Sequence, residues 1–385
     1  MAKNLSYDDY AIVGYFTSFS ILFLPMLSLS ISSYYLRNYY LIPDEKRESV
    51  LNTITISLLG IGAVTSIITL VGFFTYYRIA NVSFPFWPFA FFTIFQIVFN
   101  NFLILLQIHY RIKREAKKFA KLTIFSSLFW VTSAVLFVVV LKFGATGSMG
   151  ANLLVAFIFG IYCFKKMLTK IEFNFKIFKD ALKFSWPLAF SAMLWYFFSG
   201  IDRVFLEKLD DTQSFALYNI GLSLSAALAM FYKAILQTFE PDIYKAIAEN
   251  KIKKLAKIIF GIVFINALPV LIFVLFAKPI TYILTAGRYT DAADFARILA
   301  LQNISFVLFY SVITVIIGFG YTKSELGLRI VGAIICFFLY KFLIAKFGFY
   351  GAAWGQVVSL LLMAVLGVLF IYFILKNKKP IIESI

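Results

Sequence analysis

The amino-acid sequence predicts an all-α, polytopic membrane protein that crosses the bilayer about eleven times. Three observations predict this fold class: the apolar composition, the length of the apolar stretches, and the distribution of basic residues between them. The 385-residue chain is 62% hydrophobic and 14% charged, and its mean hydropathy is +0.88. Because a soluble domain of ordinary composition is far less apolar, the composition indicates a chain surrounded by lipid.

Eleven apolar stretches alternate with short segments that contain the charged residues. A helix of about 20 apolar residues is as long as the hydrocarbon layer is thick, and it satisfies its own backbone hydrogen bonds. We therefore predict one transmembrane helix in each stretch. In chain order the stretches are 11–33, 51–74, 84–107, 122–141, 150–164, 184–206, 215–236, 256–276, 295–319, 328–344 and 351–375.

The basic residues predict the orientation of these helices. A net charge of +17 could indicate nucleic-acid binding in a soluble protein, but here 26 of the 36 lysines and arginines fall in alternate connections. Positive residues are retained on the cytoplasmic side during insertion. The pattern predicts a multi-pass protein of the cell inner or plasma membrane, with a cytoplasmic C-terminus, an outer N-terminus and no nucleic-acid partner.

The sequence also contains an internal repeat. LKFGATGSMGANLL, from Leu141, matches AKFGFYGAAWGQVV, from Ala345, at an offset of 204. An offset near 205 aligns NLSYDDYAIVGY with KLDDTQSFALYN, and DEKRESVL with ENKIKKLA. Chance similarity is the alternative, but the matched segments are mostly loops. The repeat predicts two pseudo-symmetric bundles around a central cavity, with about five spans in 1–175 and about six in 176–385.

The first bundle has no counterpart of the helix at 184–206, which opens the second bundle. That counterpart would precede Met1 at the same offset. We expect either an upstream coding start or a variant that lacks this helix. Twelve spans would make the repeat complete.

Polar side chains inside the predicted spans are candidates for substrate binding, because such groups usually face a polar cavity or one another. Asn219, Ser223, Lys233 and Gln237 lie within about 40° of a common direction if each residue turns about 100°. Lys233 could contact a phosphate as a cation in a partly dry cavity. Alternatively, it could extend to the membrane interface or pair with Glu240.

Amide side chains form a second group of candidates. Gln96, Asn100 and Gln107 fall within about 40° of one another on one helix, and Gln302 and Asn303 occupy nearly equivalent positions in the second half. These groups can exchange hydrogen bonds with sugar hydroxyls. Hydrogen bonding between helices is the alternative role, and the commoner one.

Charged residues at span ends and metal-binding residue types complete the candidates. Asp202 and Arg203 close the stretch at 184–206, where they predict an ion pair, a helix-end anchor or an outward gate, and Glu240 is a further ion-pair candidate. With two cysteines inside apolar stretches and one histidine, we expect neither a metal site nor a cofactor.

Several segments together carry a family resemblance. They are LSYDDYAIVGY, LKFSWPLAFSAMLWYFFSGIDRVFL with its early proline and terminal Asp-Arg, QTFEPDIYKA, and the two KFGxxG turns. In order and spacing they resemble the polysaccharide and O-antigen flippases (Wzx-like) of the superfamily that also contains multidrug exporters. The chain departs from that family by lacking its first helix, which in relatives lines the cavity and can carry substrate-binding charges.

The resemblance implies a function in polysaccharide biosynthesis, such as O-antigen assembly for lipopolysaccharide. The expected substrate is an oligosaccharide on an undecaprenyl pyrophosphate-type lipid, flipped from the cytoplasmic to the outer leaflet by alternating access. Membrane lipids and polysaccharide assembly proteins, including a polymerase, are the other expected partners.

Two alternative functions remain open. An ion-coupled exporter of drugs or other small molecules commonly uses a carboxylate inside the membrane, whereas all 19 acidic residues fall in loops or at span ends. A membrane polymerase or ligase would need a sizeable outer loop with acid, base or nucleophile. The outer connections are short, so we expect a protein that is not an enzyme.

Overall fold

Helices make up nearly all of the computed structural model, which describes residues 5–39, 43–319 and 321–376. Within these ranges there is no β-strand. A π-helical turn at Leu136–Val140 lies between α5 and α6. The helices are α1 (Tyr7–Ser28), α2 (Ser32–Asn38), α3 (Asp44–Ala80), α4 (Phe89–Ile112), α5 (Ala116–Val135), α6 (Gly144–Met167), α7 (Phe175–Leu194), α8 (Tyr196–Ser199), α9 (Asp202–Glu207), α10 (Thr212–Ala226), α11 (Ala229–Ala248), α12 (Ile252–Leu275), α13 (Ala277–Thr285), α14 (Ala292–Gly318) and α15 (Thr322–Lys376).

Nine helical segments in the described ranges are long and apolar enough to cross a membrane. They overlap ten of the eleven predicted stretches, because α15 runs through two of them and is kinked at Gly348, where φ is 55° and ψ is −134°. The remaining stretch, 184–206, is divided among α7, α8 and α9. The prediction of an all-α, multi-pass membrane protein is confirmed.

The chain forms two compact units that divide between Tyr196 and Phe197. In the first unit α4 packs against α6, α1 and α3, while α7 packs against α1. In the second unit α14 packs against α15, α10 and α12. By its contacts α7 therefore belongs to the first unit, whereas the sequence repeat places the boundary after residue 175. The division into homologous halves stays a prediction.

The two KFGxxG turns share a positive φ at their first glycine, each in its own unit. Gly144 and Gly348 both have a φ of 55°, a left-handed value that a residue with a Cβ adopts only with strain. Three residues later, a Cβ on Gly147 or Gly351 would overlap a carbonyl oxygen of the preceding helical segment. This shared geometry explains why glycine occurs at both positions of both turns.

The LSYDDY segment caps the first helix and connects it to the first of these turns. The hydroxyl of Ser6 accepts a hydrogen bond from the backbone N–H of Asp9 at 3.1 Å, and the Asp9 carboxylate accepts one from the N–H of Ser6 at 2.8 Å. This reciprocal pair is a capping box. The other oxygen of Asp9 accepts a hydrogen bond from the N–H of Ala145 at 2.6 Å. One carboxylate thus joins the starts of α1 and α6.

Candidate functional site

A partly open cavity of about 440 Å³, with polar and apolar lining residues, lies in the first unit where α1, α4, α5 and α6 meet. Its size is within the range of small-molecule sites in proteins. None of its lining side chains is ionisable, so its polarity comes from amides, hydroxyls and one indole. The polar lining residues are Ser20, Gln96, Asn100, Ser126, Ser127, Trp130 and Asn152, and the apolar ones are Leu24, Ile97, Leu103, Val155 and Ala156.

Two of the predicted amides, Gln96 and Asn100, lie side by side in this cavity. They are four residues apart on α4, so both project from the same side of the helix. Both side chains are half-buried. In the described part of the chain, neither amide forms a hydrogen bond with another protein group. Each amide therefore keeps both its donors and its acceptor for a molecule in the cavity.

The opposite side of the cavity is joined by a hydrogen bond between two side chains. The indole N–H of Trp130 on α5 donates to the side-chain oxygen of Asn152 on α6. This bond uses the oxygen of Asn152 and leaves its amide hydrogens. Trp130 remains 42% exposed, so part of its ring is accessible from outside the protein. Aromatic rings of this kind combine a large apolar face with one polar edge.

The third predicted amide on α4, Gln107, has a different environment. Its amide nitrogen donates to the hydroxyl of Thr123 on α5 at 3.3 Å, and it is not among the residues that line the cavity. Gln107 therefore forms a hydrogen bond between two helices, which is the alternative role predicted for amides inside spans.

A buried hydrogen-bond network connects four helices of the second unit. Gln302 on α14 donates to the side-chain oxygen of Gln356 on α15 at 2.6 Å. Gln356 donates to the carboxylate of Asp202 on α9 at 3.2 Å, and the hydroxyl of Tyr218 on α10 donates to the same oxygen. The neighbouring Asn303 instead donates to the backbone oxygen of Ala300 at 3.1 Å. Gln302 thus belongs to a carboxylate site rather than to an open polar surface.

Asp202 is fully buried, with an exposed fraction of 0%. Its second carboxylate oxygen has no hydrogen-bond partner among the described residues. The ion pair expected with Arg203 is not among those of the described chain, because the Arg203 guanidinium turns to the backbone oxygen of Ser199 at 3.4 Å. The sequence placed Asp202 at a span end, but packing by the surrounding helices encloses it. Its role as a gate stays a prediction.

The candidates between 219 and 237 lie on α10 and α11, which together form one helical segment long enough to cross the membrane. Ala227 and Leu228, where the two helices meet, keep right-handed helical backbone angles, and their N–H groups bond to carbonyl oxygens three residues back rather than four. Asn219 is buried and donates to the backbone oxygen of Phe215 at 2.8 Å, and Ser223 donates to that of Asn219 at 2.9 Å. Both therefore bond within their own helix.

Further along α11, Lys233 is exposed and Glu240 is half-buried. The side chain of Gln237 lies outside the described residues. The common face of the four polar side chains therefore stays a prediction. Their assignment to a substrate site stays a prediction.

Sequence reasoning missed several residues of both polar sites: Ser126, Ser127, Trp130 and Asn152 in the cavity, and Tyr218 and Gln356 in the network. One signal was present, because Asn152 and Gln356 are aligned by the 204-residue repeat and both carry amides. Each takes part in the polar site of its own unit. An amide at the same repeat position in two apolar helices could have identified Asn152 and Gln356 as candidate site residues.

Comparison with known proteins identifies a family and a fold for the chain. A family model described as polysaccharide biosynthesis protein matches residues 1–294, and no curated protein matches the chain. Among solved structures, the chain is similar to an inward-facing multidrug resistance MATE family transporter of the MOP superfamily, with a TM-score of 0.75 and 17% identity over 97% of this chain and 93% of that one.

Two further solved structures show the same likeness. A MOP superfamily transporter from Pyrococcus furiosus has a TM-score of 0.62 and 17% identity over 96% of this chain and 89% of that one. An outward-facing MATE family transporter has a TM-score of 0.60 and 18% identity over 96% and 89%. At these identities the similarity establishes a shared fold.

Proposed function

Because the chain belongs to the polysaccharide biosynthesis protein family, we propose that it flips a lipid-linked oligosaccharide from the cytoplasmic to the outer leaflet of the cell membrane. The carrier in this proposal is an undecaprenyl pyrophosphate-type lipid, and the protein acts as a transporter by alternating access. The fold of MOP superfamily transporters and the multi-pass membrane architecture support transport. The family description supports a glycan substrate.

One observation supports the proposal most directly: the uncharged polar cavity of about 440 Å³ in the first unit. A sugar presents many hydroxyls, each of which donates and accepts hydrogen bonds. Gln96 and Asn100 offer both kinds of group without the desolvation penalty of a charge. An apolar drug would leave these amides unpaired, which costs about 1–3 kcal/mol for each group. These two amides therefore favour a sugar over an apolar drug, while the apolar part of the lining can contact the C–H face of a sugar ring.

In the proposed mechanism the sugar head enters the polar cavity while the polyprenyl tail stays in the lipid. Moving the sugar through oil would strip its hydroxyls of water, and hydrogen bonds with protein amides replace the lost ones. The transporter then exposes the cavity to the other leaflet, where water competes for the sugar and releases it.

The test replaces both amides with an apolar side chain of similar size, as Gln96→Leu with Asn100→Leu. We measure surface polysaccharide and cytoplasmic-leaflet lipid-linked oligosaccharide in a strain whose surface glycan depends on this chain. The loss of two hydrogen-bonding groups predicts a fall in surface polysaccharide of about tenfold or more. Lipid-linked oligosaccharide should accumulate on the cytoplasmic side at the same time.

Gln213→Leu is the control, because it makes the same amide-to-leucine change away from the cavity. Gln213 is exposed on the first turn of α10. The control should leave surface polysaccharide unchanged. The proposal is wrong if the cavity variant reaches the membrane in normal amount and still supports full surface polysaccharide.

Ion-coupled export of small molecules is a second candidate function, and the structure adds an observation in its favour. The sequence showed no acidic residue well inside a span, but Asp202 is fully buried in the second unit. A buried carboxylate inside a membrane transporter is a common coupling group. An exporter would raise resistance to toxic compounds when expressed in a sensitive strain, and Asp202→Asn would abolish that resistance. A flippase would leave resistance unchanged.

A further inference from the structure

A second groove in the first unit, of about 530 Å³, opens between α5 and α6. Lysines line one end of it, near the connection between α4 and α5: Lys118, Lys121 and Lys166. Apolar side chains line the rest, and they include Phe125 and Ile158. From Lys166 to Ile158 is about 12 Å along the helix axis, at 1.5 Å per residue. The groove therefore changes from cationic to apolar along the direction in which a lipid would lie.

Aromatic rings hold two of the lysine ammonium groups at the groove. Lys166 donates a hydrogen bond to the hydroxyl of Tyr162 at 3.1 Å, and its ammonium stands 5.4 Å from the centre of that ring and 5.7 Å from the ring of Tyr110. The ammonium of Lys121 stands 5.8 Å from the ring centre of Phe125. Cation–π contacts of this kind position a charge without neutralising it.

The charge at this end of the groove is only partly balanced. Lys118 pairs with Glu115 at 2.9 Å. Among the ion pairs of the described residues, neither Lys121 nor Lys166 has a carboxylate partner. Both are exposed, while Phe125 and Ile158 are 56% and 42% exposed next to them. Two ammonium groups beside open apolar surface are complementary to an anionic headgroup with an acyl chain.

We propose that this groove binds an anionic phospholipid, with its phosphate between Lys121 and Lys166 and one acyl chain against Phe125 and Ile158. Basic pockets between transmembrane helices bind anionic headgroups on the cytoplasmic side, where such lipids attract lysines. The positive-residue pattern predicts that this end of α5 and α6 faces the cytoplasm. The site is separate from the polar cavity, which none of these residues lines.

The experiment measures lipid binding to the full chain purified in detergent, by native mass spectrometry with phosphatidylglycerol and phosphatidylcholine of identical acyl chains. The test variant is Lys121→Gln with Lys166→Gln. The matched control is Lys117→Gln with Lys165→Gln, which removes the same charge from exposed neighbours on the same helices. We expect wild type and control to prefer phosphatidylglycerol, and the test variant to bind it about tenfold more weakly.

A second variant tests the apolar part of the groove. Ile158→Asn places a polar side chain of similar size in the acyl-chain position and keeps every lysine, and Ile158 is 42% exposed on α6. We expect phosphatidylglycerol binding to fall about fivefold if the acyl chain lies there. Glycerol phosphate, which has the headgroup phosphate and no acyl chain, should not displace the lipid.

Three results would overturn the proposal. If phosphatidylglycerol binding weakened equally in the lysine variant and its control, the binding would reflect general attraction between a basic protein and an acidic lipid. Displacement by glycerol phosphate would make the groove a phosphate site. Tight binding of undecaprenyl phosphate together with no preference for phosphatidylglycerol would assign the groove to the transported lipid.

Discussion

The hydroxyl of Tyr218 donates a hydrogen bond to the carboxylate of Asp202, and both side chains are fully buried in the second unit. A carboxylate withdrawn from water is stable only when donors replace the lost hydration. Tyr218 and Gln356 supply two donors to one of its oxygens. Asp202 therefore adds a polar connection from α9 to α10 and α15, beside apolar packing such as that of Phe205 on Phe337.

We predict that Tyr218→Phe destabilises the protein by about 1–3 kcal/mol, because it removes one donor from a buried carboxylate. The measurement is thermal unfolding of the purified protein in detergent. Tyr372→Phe is the control, because Tyr372 is 59% exposed on α15. This variant should unfold at the same temperature as the wild type. If the two variants unfold at the same temperature, the bond from Tyr218 contributes nothing to stability.

Lys233 gives a prediction about charge. If this exposed lysine contacts the pyrophosphate of the substrate, both Lys233→Ala and Lys233→Gln should lower surface polysaccharide about tenfold, because a hydrogen bond to a charged group contributes about 1.5–3 kcal/mol. Lys233→Arg should retain function. Lys254→Gln, an exposed lysine on α12, is the control. Full activity from the first two variants would remove Lys233 from the substrate site.

Gly348 gives a prediction about backbone strain. Its φ of 55° is left-handed, and a Cβ there would meet nothing closer than 4.0 Å. Gly348→Ala should therefore destabilise the protein by strain alone, about 1–3 kcal/mol in thermal unfolding, because only glycine readily combines a φ of 55° with a ψ of −134°. Gly72→Ala is the control, because Gly72 lies inside α3 with nothing near its Cβ position, and there alanine should be neutral or slightly stabilising. Unchanged stability of Gly348→Ala would contradict the left-handed turn.

The predicted orientation can be checked with single cysteines. We expect Lys142→Cys to react with a membrane-impermeant maleimide in intact cells, and Lys117→Cys to react only after permeabilisation, because the two positions fall in opposite sets of connections. Both side chains are exposed. The native Cys163 and Cys336 are buried and should label slowly in either condition. The reverse labelling pattern would invert the topology.

The sequence predicted the helices better than it predicted the site. Gln96 and Asn100 were found because they are four residues apart on one uninterrupted helix, where spacing alone determines direction. The same argument is less direct for Asn219 and Lys233, because the backbone hydrogen bonds at 227–228 between them follow a three-residue spacing. Trp130 and Asn152 were missed because they lie on different helices, and no spacing within either helix shows that they meet.

The sequence by itself determined that this is a helical membrane protein and where most of its apolar helices lie. Hydropathy, helix length and loop charge act on each segment separately, and lipid requires every segment to satisfy its own backbone. Only the tertiary structure decided which polar groups meet. The cavity around Gln96 and the enclosure of Asp202 arise from side chains on helices far apart in the chain. Their contacts depend on helix rotation and packing, which local composition does not specify.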